Sequence, residues 1–239
     1  MNSTRRRVVI TGIGLISPLG NTKEALWDAL ASGRSGVGPL TVMPRESASV
    51  SVAAEARHFR GKIDEFGPLE KEQKKAIRKN LKVMCRESQM GVAAAQLALA
   101  DAGLSPGLID PERSGISFGS DLMFTEIEDF TQGILHCMNE NTQFEFSRWA
   151  IQGMKQLEPL WLLKYLPNMP ASHVAIFNQF CGPNNSVTLR EASSNVAVGE
   201  AFEIVADGRA DVMLCGSTGT RVHPMHVLRV IRQEQVATG

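Results

Sequence analysis

Residues 185–219, N-S-V-T-L-R-E-A-S-S-N-V-A-V-G-E-A-F-E-I-V-A-D-G-R-A-D-V-M-L-C-G-S-T-G, constrain the fold more than any other part of the chain. They read as strand, sharp turn, helix, strand. The β-branched pair Val187 and Thr188 leads to Arg190 and Glu191, and Ser193 and Ser194 supply N-cap chemistry for a helix. Its apolar positions, Val196, Val198, Phe202, Ile204 and Val205, run to a stop at Gly208. Residues 211–215 then read as a buried strand that enters a Gly/Ser/Thr loop. Whatever stands at the first strand-to-helix junction sits on a helix N-terminus, where N–H groups and the helix dipole favour negative charge. Here that residue is Glu191.

The same alternation of strands and helices recurs upstream. Residues 7–11 are β-branched and read as a first strand, followed by a tight loop and a helix over 22–32 that opens on Thr22 and closes at Gly33. Gly12 and Gly14 suggest a dinucleotide loop, but Ser17 stands where G-x-G-x-x-G needs its third glycine, and Pro18 follows. Residues 34–68 are turn-rich, with an alternating A-S-V-S-V-A-A stretch suited to a short hairpin or edge strand. Residues 69–82 carry Lys71, Lys74, Lys75, Arg78, Lys79 and Lys82, a solvated helix face whose specific alternative is a dock for an acidic carrier domain. An Ala-rich helix over 87–104 precedes a strand over 115–120, the rhythm of α/β architecture. Seven of the 14 aromatic residues fall within 124–165, a cluster that reads as packing or a subunit interface. A Pro-started helix lies within 166–184, and a short helix covers 227–233.

Composition narrows the function. With 239 residues, 43% of them hydrophobic, the chain has ample core for one large domain. The 25 basic and 25 acidic residues cancel, so no global field attracts nucleic acid or an anionic membrane. No run approaches the roughly 18 apolar residues of a membrane span. Cys85, Cys137, Cys181 and Cys215 lack metal-type spacing, and apolar surroundings at three of them suggest reduced, buried thiols in a cytoplasmic protein. His173 reads as a structural histidine. His223 and His226 form an H-P-M-H pair without an adjacent acidic or Cys ligand, so no metal and no cofactor are implied.

Together, R-R-V-V-I-T-G-I-G-L-I-S-P-L-G-N (6–21), W-D-A-L-A-S-G-R-S-G-V (27–37), A-L-A-D-A-G-L (98–104), L-P-N-M-P-A-S-H-V-A (166–175), C-G-P-N (181–184) and A-D-G-R-A-D-V-M-L-C-G-S (206–217) make the chain resemble the amino-terminal half of the β-ketoacyl-acyl-carrier-protein synthases. The resemblance runs in order along nearly the whole of residues 1–239, with 124–165 as a helical, aromatic excursion. It implies a thiolase-like layered α/β/α fold whose mixed, five-stranded-type sheet lacks its last strand here, leaving an exposed edge or a partner's place. It also implies acyltransferase chemistry, the decarboxylative condensation of a malonyl-carrier with an acyl thioester. The implied partners are a second copy, a ketosynthase-type chain or an acyl carrier protein.

In that family a cysteine nucleophile occupies the strand-to-helix junction, in a motif like T-A-C-S-S, because a helix N-terminus strengthens a thiolate. The corresponding motif here is T-L-R-E-A-S-S, with Glu191 at the cysteine's position. A carboxylate there is stabilised as an anion and cannot hold the long-lived acyl thioester that cysteine forms. The family's catalytic histidines and lysine come from a carboxy-terminal half that this sequence does not contain, and His223 and His226 precede that region. The resemblance therefore implies a condensation-incompetent, chain-length-factor-like pseudoenzyme. The alternatives are a split synthase or decarboxylase completed by a partner, and a truncated reading frame. For Glu191 itself the plainer role is to stabilise its helix or to pair with Arg190 or a partner's cation.

Overall fold

In the computed structural model, which describes residues 5–237, the order of elements follows from where the sequence can bury an apolar face. Helix α1 (Lys23–Ala31) starts at Thr22, whose Oγ1 accepts from the Ala25 N–H at 3.2 Å. Strands β1 (Val37–Pro39) and β2 (Val52–Ala54) pair antiparallel within the turn-rich region. Helices α2 (Lys71–Asn80) and α3 (Arg86–Asp101) lead into β3 (Ser114–Ser120), and α4 (Ile127–His136) opens the aromatic excursion, which continues as short 3₁₀ and π turns. Then come α5 (Met169–Asn178), β4 (Asn184–Val187), α6 (Ser193–Ala206), β5 (Val212–Thr218) and α7 (Pro224–Gln233). Residues 1–4 and 238–239 lie outside the described residues.

The central sheet has three parallel strands in the order β4-β3-β5, with Ile116 of β3 opposite Asn184 and Leu214. Strand β3 is buried at all seven positions, so both of its faces need cover. Ile116 and Phe118 point to one side, into a core with Val92 of α3 and Val174 and Phe177 of α5. Ser117 and Gly119 point to the other, where Ser117 Oγ donates to Glu200 of α6 and Gly119 lies against Ser193. A helix layer on each face of a parallel sheet is the layered α/β arrangement that the sequence implies. The sheet is partial: among the described residues nothing pairs with the outer edge of β5.

Residues 7–11 do not become a strand. They carry no regular secondary structure, with Val9 and Ile10 63% and 82% exposed, because a β-branched run forms a ladder only where a strand edge meets its amides. The segment is instead fixed at its ends. The Arg6 N–H donates to the Ala206 carbonyl at 3.1 Å, and the Ile13 N–H donates to Asp101 Oδ2 at 2.9 Å. Gly12 and Gly14 lie flat on α3, where a Cβ would come within 2.3 Å of the Ala98 oxygen and 2.0 Å of the Ala94 oxygen. These glycines therefore serve close packing on a helix. The edge position of β5 also exposes Cys215, as Cys181 is exposed, so two thiols are buried where the sequence suggests three. Helix α2 presents its lysines to solvent and buries Ile77, and the aromatic excursion packs internally through Phe130 with Trp149 and Trp161, although Phe146 stays 77% exposed.

Gly119 permits the contact on which α6 is seated. A Cβ there would lie 2.7 Å from Ser193 Cβ and 2.8 Å from the Ser193 backbone carbon. Gly119→Ala is expected to lower stability by about 1–3 kcal/mol through overpacking. A urea-unfolding midpoint equal to that of the parent would contradict this seating.

Candidate functional site

The strand-to-helix junction is a tight elbow. After β4 the backbone turns through Arg190, which has φ of 53°, a left-handed conformation that a non-glycine residue adopts at a cost of about 1 kcal/mol or more. Residues Arg190–Ala192 form a single 3₁₀ turn that runs directly into α6. Two hydrogen bonds at one hydroxyl hold it: the Leu189 N–H donates to Ser193 Oγ at 2.8 Å, and Ser193 Oγ donates to the Ser120 carbonyl at 3.0 Å. The sequence assigns Ser193 and Ser194 to forward capping of the helix. The structure turns Ser193 backward instead, since the 3₁₀ turn already occupies the first helical N–H groups, with Ala192 N–H on the Leu189 carbonyl and Ser193 N–H on that of Arg190.

Glu191 stands in this turn, with its side chain 66% exposed. Its carboxylate does not pair with Arg190. It meets the guanidinium of Arg221 in the loop after β5, and Arg221 also lies 3.5 Å from Glu234 beyond α7. The elbow is thereby linked electrostatically to the carboxy-terminal end of the described chain. Sequence reading does not find Arg221, because 30 positions separate it from Glu191 and only the parallel return of β5 brings the two together.

The remaining candidates fall elsewhere. His223 is the N-cap of α7, its Nδ1 accepting from the Met225 N–H at 3.2 Å. His226 Nδ1 lies 3.1 Å from the Thr220 carbonyl, and burial lowers its pKa. Both Nδ1 atoms are thus engaged, and no group of three or more His, Cys, Asp or Glu side chains able to hold a metal occurs among the described residues. His173 is 4% exposed and stacks on Phe177, the structural role that its helix suggests. Burial pushes the Cys85 thiol up to about 12, which makes it inert. No helix among the described residues is long and apolar enough to cross a membrane.

A three-stranded parallel core with a helix layer on each face and an elbow between β4 and α6 defines a layered α/β protein. Residues 5–238 match the N-terminal domain of beta-ketoacyl synthase, and the chain belongs to that family. Among curated relatives, it is 30% identical over 224 residues to 3-oxoacyl-[acyl-carrier-protein] synthase 2 of Synechocystis sp., covering 94% of this chain and 48% of the relative. It is 31% identical over 229 residues to the actinorhodin polyketide putative beta-ketoacyl synthase 1 of Streptomyces coelicolor, covering 93% and 44%. The chain therefore spans about half the length of the relatives it matches. Of solved structures, the ishigamide ketosynthase/chain length factor superposes with a TM-score of 0.73 at 22% identity, over 98% of this chain and 52% of the other. A beta-ketoacyl synthase from Burkholderia phymatum gives a TM-score of 0.64 at 28% identity, over 88% and 46%.

The exposed Glu191–Arg221 pair contributes little to stability, since solvent screens both charges. Arg221→Ala is expected to change the unfolding free energy by less than about 1 kcal/mol. A loss of several kcal/mol in urea titration would show that the pair is a structural tie of the fold.

Proposed function

We propose that this chain is a ketosynthase-like subunit of fatty-acid or polyketide-type synthesis that does not itself carry the acyl intermediate. It acts as a partner, either to a second copy or to a ketosynthase-type chain in the manner of a chain-length factor. The observation that carries this reading is Glu191 on the elbow, its carboxylate held by Arg221. Attack of a carboxylate on a thioester would give an anhydride, which water destroys, and a carboxylate stabilised by a guanidinium is a weak nucleophile and a weak base. In this reading the elbow is the frame in which the family places its cysteine, and the residue on it cannot do the work of a thiolate.

The relatives support this placement. They include both a fatty-acid-type and a polyketide-type synthase, and structures of like fold include the ishigamide ketosynthase/chain length factor and the AntDE:AntF complex of a type II polyketide acyl-carrier protein with its ketosynthase. An acyl carrier protein is accordingly a further partner in this reading, with the lysine face of α2 as its dock. The rival is a split synthase or a malonyl-carrier decarboxylase that is completed by a partner chain and uses Glu191.

Co-expression with a ketosynthase-type chain, native mass spectrometry and incubation with malonyl-carrier separate the two. The proposal expects a homodimer or a heterodimer, and a turnover in the complex that Glu191→Gln leaves within about twofold, since removing one exposed charge alters no reacting group. A chain that stays monomeric in every combination would overturn the partner role. Turnover abolished by Glu191→Gln at unchanged stability would establish the rival.

A further inference from the structure

A half-open polar cavity of about 280 Å³ lies between the turn at 17–20, the loop after α1 and the segment after β2. Its ionisable walls are Arg34, Arg57, His58 and Glu55. The one acid is already satisfied. The Glu55 side chain is 8% exposed; its Oε1 accepts from the Thr41 N–H at 2.6 Å, and its Oε2 accepts from Thr41 Oγ1 at 2.7 Å and from Arg57 Nε at 3.1 Å. Burial opposes that charge, yet these donors hold its pKa below the usual carboxylate range. Arg57 therefore cancels Glu55, and its Nη2 donates to the Pro39 carbonyl. Arg34 has no such counter-charge. Its protein acceptor among the described residues is the Ala25 carbonyl at 3.4 Å, and no carboxylate there pairs with it or with the exposed His58. The loop that carries Arg34 is a packed wall: a Cβ on Gly36 would stand 2.9 Å from Pro18 Cβ, and the Val37 N–H donates to Ser35 Oγ at 3.1 Å.

The charge balance of these walls selects the ligand. With Glu55 and Arg57 cancelling, Arg34 leaves the cavity net positive, so it repels cations and offers a neutral molecule only ordinary hydrogen bonds. An anion gains charge-assisted bonds from Arg34 and from Arg57 Nη1, and a further bond from His58, whose imidazole has an N–H in either protonation state. Size and valence favour phosphate over carboxylate. A sphere of this volume is about 8 Å across, the span of a phosphate with hydrogen bonds of about 2.8 Å on opposite oxygens. A carboxylate brings two oxygens and one charge to donors on two chain segments, whereas a phosphate monoester brings three acceptor oxygens and nearly twice the charge. The apolar part of the wall, Pro18, Leu19 and Val37, leaves room for no more than a small organic group.

We propose that this cavity binds a phosphate group, as free phosphate or as a small phosphate monoester, on Arg34, Arg57 and His58. The site is independent of the role of Glu191. The test is a titration of the isotope-labelled full chain with inorganic phosphate and, separately, with glycerol 3-phosphate, read from backbone amide shifts at constant ionic strength. Both are expected to give saturable, millimolar shifts confined to residues 34–37 and 55–58. The monoester binds more tightly if its organic part is also held, and equally if the phosphate group alone is. Arg34→Gln, which keeps an amide but not the charge, and His58→Ala are each expected to weaken binding at least about fivefold, the loss of one hydrogen bond to an anion. Lys79→Gln, on the basic face of α2, is expected to leave binding within about twofold, and circular dichroism checks that each variant is folded. No saturable shift at these residues by about 50 mM phosphate, shifts of equal size on α2, or unchanged binding in a folded Arg34→Gln variant would overturn the proposal.

Discussion

One hydroxyl fixes the geometry on which the rest of this structure depends. Ser193 Oγ accepts from Leu189 and donates to the Ser120 carbonyl, so the start of α6 is tied to both the end of β3 and the end of β4. The contact is possible because Gly119 offers no Cβ. Everything functional about the elbow follows from that seat. Arg190 is held in a left-handed conformation, Glu191 is carried outward, and β5 returns beside β3 so that Arg221 arrives opposite the carboxylate.

The parts of the fold governed by local signals are legible in the sequence. Thr22 announces α1, Gly208 marks the end of α6, and the Ala-rich run 87–104 becomes α3 with little change of bounds. Glu191 could be placed at the junction for the same reason, because a strand, a turn and an apolar-periodic helix follow one another within a few residues. Features that need a second segment are not legible. Residues 7–11 have the composition of a strand, but composition does not supply the neighbouring edge that makes a ladder. Cys215 sits in an apolar run, yet its exposure follows from β5 being the last strand of the described sheet. The Glu191–Arg221 pair is invisible for the same reason: topology joins it across 30 positions.

The proposed function separates family membership from chemistry at one position, Glu191. The matched domain belongs to the beta-ketoacyl synthases, while the side chain in the turn between β4 and α6 is a carboxylate paired with a guanidinium. A helix N-terminus and a nearby cation would both favour a thiolate. Under the proposed function, the elbow keeps the environment of a nucleophile while Glu191 stands in place of the atom that would react.

The most direct test of that claim is to put a thiol on the elbow and measure its ionisation. In a Glu191→Cys variant, the rate of alkylation by iodoacetamide as a function of pH should report a thiol pKa at least about one unit below the ordinary value near 8.5. A midpoint at or above 8.5, in a variant as stable as the parent, would show that the elbow does not provide the environment of a nucleophile and would contradict the account.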